Sequence, residues 1–115
     1  MLDLLLIVLT DIQGQLLNTR KGNMIKWKMK NKILLRDIIK LCRNVKIAVY
    51  LDLYREAEPG MNLMPIYIQD CNDYDNLFNN TKILELYLDH EVVDIWANDE
   101  FSIDLILAGE EVYID

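Results

Sequence analysis

The chain has 115 residues, 52% of them apolar and 27% charged, with a net charge of −7. That length holds one domain with a modest core, and the apolar share excludes intrinsic disorder. The acidic balance excludes phosphate-driven binding of nucleic acid by the whole surface, because that affinity comes from many Lys and Arg contacts. The charge is also split along the chain. Residues 1–55 carry +11 − 4 = +7, and residues 56–115 carry +1 − 15 = −14. Either the two halves fold together and neutralise, or one face stays charged for a partner.

Met1 to Leu9 is apolar but too short to span a bilayer, and Asp3 stands where a secretory signal would carry positive charge. Two readings of residues 1–23 stay open. In one, a strand or helix packs Leu4 to Leu9 on the core. In the other, translation begins at Met24: Arg20-Lys21-Gly22-Asn23-Met24 back-translates to a purine-rich stretch resembling a ribosome-binding site before a start codon. The preceding segment would then be an over-extended reading frame or a loosely attached piece, and its loss leaves net charge unchanged because Asp3, Asp11, Arg20 and Lys21 cancel.

From Met24 to Lys30 the period is two, with Ile25, Trp27 and Met29 on one side and Lys26, Lys28 and Lys30 on the other, which predicts a half-buried strand. Asn31 can cap a helix over about 32–43, with Leu34, Leu35, Ile38, Leu41 and Cys42 inward, ended by Asn44. Val45 to Tyr54 alternates again as a second strand. Glu58-Pro59-Gly60 marks a turn, and Met61 to Gln69 reads as a strand whose Pro65 demands an edge position or a bulge. Asp70 to Asn80 is polar, with short helical turns expected. Thr81 to Leu88 fits helix and strand equally.

Glu91 to Ala97 and Phe101 to Leu107 form the clearest pair, with Val93, Ile95 and Ala97 facing the core beside Phe101, Ile103, Leu105 and Leu107. A three-residue Asn98-Asp99-Glu100 turn puts Ile95 opposite Ile103. That register sets Asp94 opposite Asp104 on the outward face, which is unfavourable unless solvent screens the pair or a cation lies alongside: the strand of Lys26, Lys28 and Lys30, a partner's Lys or Arg, or a divalent ion.

Devices for catalysis are missing from the pattern. His90-Glu91-Val92-Val93-Asp94 lacks the second histidine of a metalloprotease helix, and His90 reads as a surface or hydrogen-bonded residue. Asp70, Asp73 and Asp75 match no EF-hand register. The four glycines are isolated, Ser102 is the only serine and has no positioned base, and Cys42 and Cys71 have no CxxC spacing. Both cysteines read as reduced thiols in a cytoplasmic protein. The basic first half has its lysines and Trp27 on opposite faces, so charge and stacking do not share a surface.

The helix containing Leu34-Leu35-Arg36-Asp37-Ile38-Ile39, the strand after it, the string Leu88-Asp89-His90-Glu91-Val92 and the closing hairpin together resemble a class of small acidic proteins from phages and mobile elements of Firmicutes. The resemblance covers about residues 33–107 and brings no catalytic residues. Some proteins of that kind act as anti-CRISPR or other anti-defence inhibitors, which implies inhibition of a host nucleic-acid-binding protein.

The expectation is an α+β fold, a single domain over 1–115: a small antiparallel sheet of four to five strands with one main helix (about 32–43) on one face. The expected role is non-enzymatic: an acidic protein binding a host protein with a basic surface through Asp94, Asp99, Glu100 and Asp104, and secondarily Asp70, Asp73 and Asp75. No cofactor, metal or membrane is expected. Two alternatives remain, a self-associating assembly module pairing at a sheet edge, and a small nucleic-acid regulator using the basic half.

Overall fold

A computed structural model describes residues 2–14, 17–21, 24–41, 46–52, 63–69, 81–97 and 102–112. Helix α1 (Leu2–Gln13) leads into strands β1 (Leu17–Lys21) and β2 (Met24–Lys28). Helix α2 (Leu35–Ile39), β3 (Lys46–Asp52), β4 (Pro65–Gln69), α3 (Thr81–Leu86), β5 (Glu91–Ala97) and β6 (Ser102–Ala108) follow. The fold is α+β, with one six-stranded sheet in the order β1-β2-β5-β6-β3-β4. All five strands read from periodicity are present. β1 is the sixth, and its Leu-Asn-Thr-Arg-Lys sequence has no alternation to announce it.

The sheet is mixed rather than antiparallel. β3 runs parallel to β6, with Ile47, Val49 and Leu51 beside Ile103, Leu105 and Leu107. These aligned apolar triplets form the centre of the core, and Leu9, Leu35 and Ile38 from the helices join them in the same cluster. Ile83 and Leu84 of α3 pack against it, so all three helices serve one face of the sheet. Burying each such Leu or Ile contributes about 1.5–3 kcal/mol. Pro65 opens β4, an edge strand with a bulge opposite Val49 and Tyr50, so both devices expected of that proline occur together.

The expected helix over 32–43 shrinks to α2. Leu34 is its N-cap with extended φ and ψ, Asn31 makes no cap, and Cys42 lies outside the described residues. The reason is a competing set of backbone partners. Ile33 O accepts from Val92 N at 2.9 Å, Leu34 bridges Glu91, Leu35 N donates to His90 O and Arg36 N donates to Leu88 O. Residues 33–36 are thus held along the entry to β5 and cannot all start a helix.

The hairpin register is also corrected. Ile95 pairs with Leu105, Trp96 with Asp104 and Ala97 with Ile103, so five residues separate the last pair where a three-residue turn was expected. A two-residue slip keeps the face parity, so apolar still meets apolar, while Asp94 moves opposite Ile106 and away from Asp104. A bulge at Val93 then turns that side chain off the main core, leaving Val92 inside in its place.

Candidate interaction surface

Of the seven carboxylates expected to meet a partner, Asp70, Asp73, Asp75, Asp99 and Glu100 lie outside the described residues. Asp94 and Asp104 sit on the sheet face away from the helices, one on each strand of the hairpin. They do not form an exposed acidic pair. Asp94 is only 7% exposed, and Lys26 Nζ of the neighbouring strand lies 3.7 Å from its Oδ2. The lysine strand is therefore the cation alongside.

Asp104 is half-buried between Trp96 on β5 and Ala48 on β3. Burial pushes its carboxyl up to about 6, with Lys46 pulling the other way. Tyr50 on β3 is raised as well, first by burial and then by the negative charge of Asp104. Trp96 and Ile106 are the buried centre of this face, ringed by Met24, Tyr50, Leu63 and Val93. Among the described residues, the buried indole Nε1–H of Trp96 has no acceptor. A buried donor left without a partner costs about 1–3 kcal/mol.

A second acidic region emerges from the fold. Tyr87, just beyond α3, is 2% exposed; its Oη accepts from Val112 N at 2.9 Å and donates to Val112 O at 3.2 Å. His90 Nε2 lies 3.1 Å from Glu110 O, placed to donate as the Nε2–H tautomer, and its ring stacks at a tilt on Tyr87 with centroids 4.8 Å apart. Gly109 permits this closure. Its φ is +127°, and a Cβ there would stand 2.8 Å from His90 Cδ2.

These contacts fasten residues 109–112 to Tyr87 and His90, just beyond the end of α3, and on the two segments Glu85, Leu86, Asp89, Glu110, Glu111 and Val112 are exposed. Asp89 is engaged by Arg36, whose Nε and Nη2 both reach Oδ1 at 2.6 Å. Glu85 and Glu110 are exposed and form no ion pair among the described residues. Sequence reasoning missed them because Thr81 to Leu88 was undecided between helix and strand. The usable signal was Gly109 after a strand, followed by two glutamates and a valine.

No family model, curated protein or solved structure matches this chain. Among the described residues no three of His, Cys, Asp and Glu gather around a common metal position, and no helix is long and apolar enough to cross a membrane. What the corner can do chemically is associate. Exposed carboxylates such as Glu85 and Glu110, with exposed apolar side chains on the same segments, attract a cationic surface and give it apolar area to bury.

Proposed function

We propose that the chain is a non-enzymatic acidic interaction protein that binds a basic surface of a partner protein, with the α3 and 109–112 corner as its main contact. The observation that carries this reading is the exposed carboxylates Glu85 and Glu110, which form no ion pair among the described residues, on segments joined through Tyr87 and His90 and carrying exposed Leu86 and Val112. Exposed carboxylates steer association with a basic groove, and the attraction fades as salt rises. The resemblance to small acidic phage and mobile-element proteins supports a nucleic-acid-binding host protein, such as a defence nuclease, as the partner class. Asp70, Asp73, Asp75, Asp99 and Glu100 belong to the same proposal as further acidic contacts.

The test is capture of a partner from host lysate, identification by mass spectrometry, and titration of the purified partner against variants. Glu85→Lys with Glu110→Lys is expected to weaken binding about tenfold or more with the melting temperature unchanged. Equal affinity refutes the corner as the contact. Reversing Asp94 instead is expected to lower stability, since Asp94 is buried beside Lys26.

A further inference from the structure

The sheet has two edges, and the structure treats them differently. β4 begins with a proline and carries a bulge opposite β3, both of which discourage another strand from adding. β1 has neither. Its five residues pair in unbroken register with β2, from Leu17↔Lys28 to Lys21↔Met24, and nothing among the described residues pairs with its outer side. Asn18, Thr19 and Arg20 are exposed, and an edge in this state presents a row of N–H and C=O groups to another strand.

The residue order of β1 suits a second copy of the same strand. Two identical edges meet antiparallel about a twofold axis normal to the sheet, and since side chains directly opposite share a face, the axis must pass beside a residue and not between two. Full overlap of Leu17–Lys21 makes that residue Thr19. Thr19 then faces its own counterpart, a favourable cross-strand pair, while Arg20 faces Asn18, whose amide oxygen accepts from a guanidinium. Centring on Arg20 instead would oppose two like charges and shorten the ladder. The cations of β2 do not forbid the contact. Lys28 stands one strand inward, so at least three strand spacings, about 14 Å, separate it from its counterpart, beyond the screening length of about 8 Å at physiological salt. The same axis puts both helical layers on one face of the joined sheet, where Ile7 and Ile12 of each α1 are 60% and 47% exposed.

We infer that β1 is the interface of a homodimer, in which two copies pair antiparallel across Thr19 and join their six-stranded sheets into one. Main-chain hydrogen bonds supply the affinity in this mode. The ladder is short, and a five-residue edge covers less than the roughly 1,200–2,000 Å² of a stable interface, so the dimer is weak and depends on concentration. The surface is distinct from the acidic corner: α3 packs beside β4, toward the opposite edge of the sheet, so the dimer carries that corner at each of its ends.

The test uses the full chain. Mass by analytical ultracentrifugation is expected to rise from 13.5 kDa toward twice that with concentration and, because each copy carries −7, to rise further at high salt. Register is read by cross-linking in a chain with Cys42→Ser and Cys71→Ser. Thr19→Cys sets a thiol opposite its own counterpart, with Cα atoms about 4.5–5.5 Å apart and within disulfide reach, whereas the diagonal separation for Asn18→Cys, about 7–8 Å, is too long. Oxidation is expected to link the first about tenfold faster than the second. Thr19→Lys, which sets two cations face to face, is expected to weaken association about fivefold with the melting temperature unchanged. Four results overturn the inference: a monomer at every concentration and salt; equal cross-linking at positions 18 and 19; a dimer that Thr19→Lys leaves intact; or a monomer whose β1 amide signals shift only when an extended peptide of foreign sequence is added, which would give the edge to another protein.

Discussion

Asp104 shows how one residue's surroundings become a property of the whole chain. Its carboxyl has an ordinary value of 3.8 when exposed and about 6 in the fold, because burial between Trp96 and Ala48 penalises the charged form. The folded state therefore holds its proton to higher pH than the unfolded state does. The contribution of Asp104 to stability is full below about 3.8, falls as pH rises toward about 6, and is flat beyond, which is the reverse of a salt-bridged aspartate. Asp104→Asn keeps the size and removes the charge. It is expected to stabilise the protein by about 1 kcal/mol at about pH 7.5, a figure reduced for solvent screening of a half-buried group, and to have little effect near pH 4. Urea midpoints at the two pH values check this. An equal shift at both would mean that the effect is not linked to protonation.

At the scale of elements, the least conspicuous contact joins α1 to the sheet. Between Met29, whose N–H bonds to Val93 O, and Ile33, whose carbonyl bonds to Val92 N–H, the chain leaves the ladder and bares the N–H groups of Lys30 and Asn31. Gln13, 3% exposed at the end of α1, accepts both with Oε1 at 2.8 and 2.6 Å and donates to Asn31 O at 3.0 Å. Gln13→Ala strands these groups and is expected to cost about 2 kcal/mol, visible as a lower denaturation midpoint with an unchanged slope. A cost under about 0.5 kcal/mol would show that water replaces the glutamine at no loss. This contact was illegible in the sequence, where Gln13 is one polar residue among many and its partners lie 17 and 18 positions away. The strands were legible for the opposite reason: alternation such as Ile25, Trp27 against Lys26, Lys28 is local and survives tertiary packing. The hairpin shows the boundary between the two cases. Parity placed Ile95, Ala97, Ile103, Leu105 and Leu107 toward the core but misplaced Val93, which the bulge turns away, and choosing between registers two apart needed β3, whose parallel pairing with β6 has no local trace. The acidic corner was hidden in the same way, since Tyr87 and Val112 meet across 25 positions.

At the scale of the molecule, the charge split along the sequence becomes an arrangement across the sheet. Lys26 lies against Asp94 and Arg36 against Asp89, while among the described residues Lys28, Lys30 and Lys32 on and after β2, and Glu85 and Glu110 on α3 and after β6, form no ion pair. The first 23 residues contribute to this arrangement through packing rather than charge, because Asp3, Asp11, Arg20 and Lys21 sum to zero. A chain beginning at Met24 thus isolates the packing contribution. It would lose Leu9, which is fully buried, the partly buried Leu6, the three hydrogen bonds of Gln13, and the whole of β1. Leu9 alone is worth about 2–5 kcal/mol on removal, a large part of the stability of a small domain. β2 would become the new edge, with Lys26 and Lys28 on its outward face and Trp27 losing cover. The shortened chain is expected to unfold at markedly lower urea and to show increased tryptophan exposure by fluorescence. If it instead folds with undiminished stability, α1 and β1 contribute nothing to the core, and a start at Met24 is compatible with a complete fold.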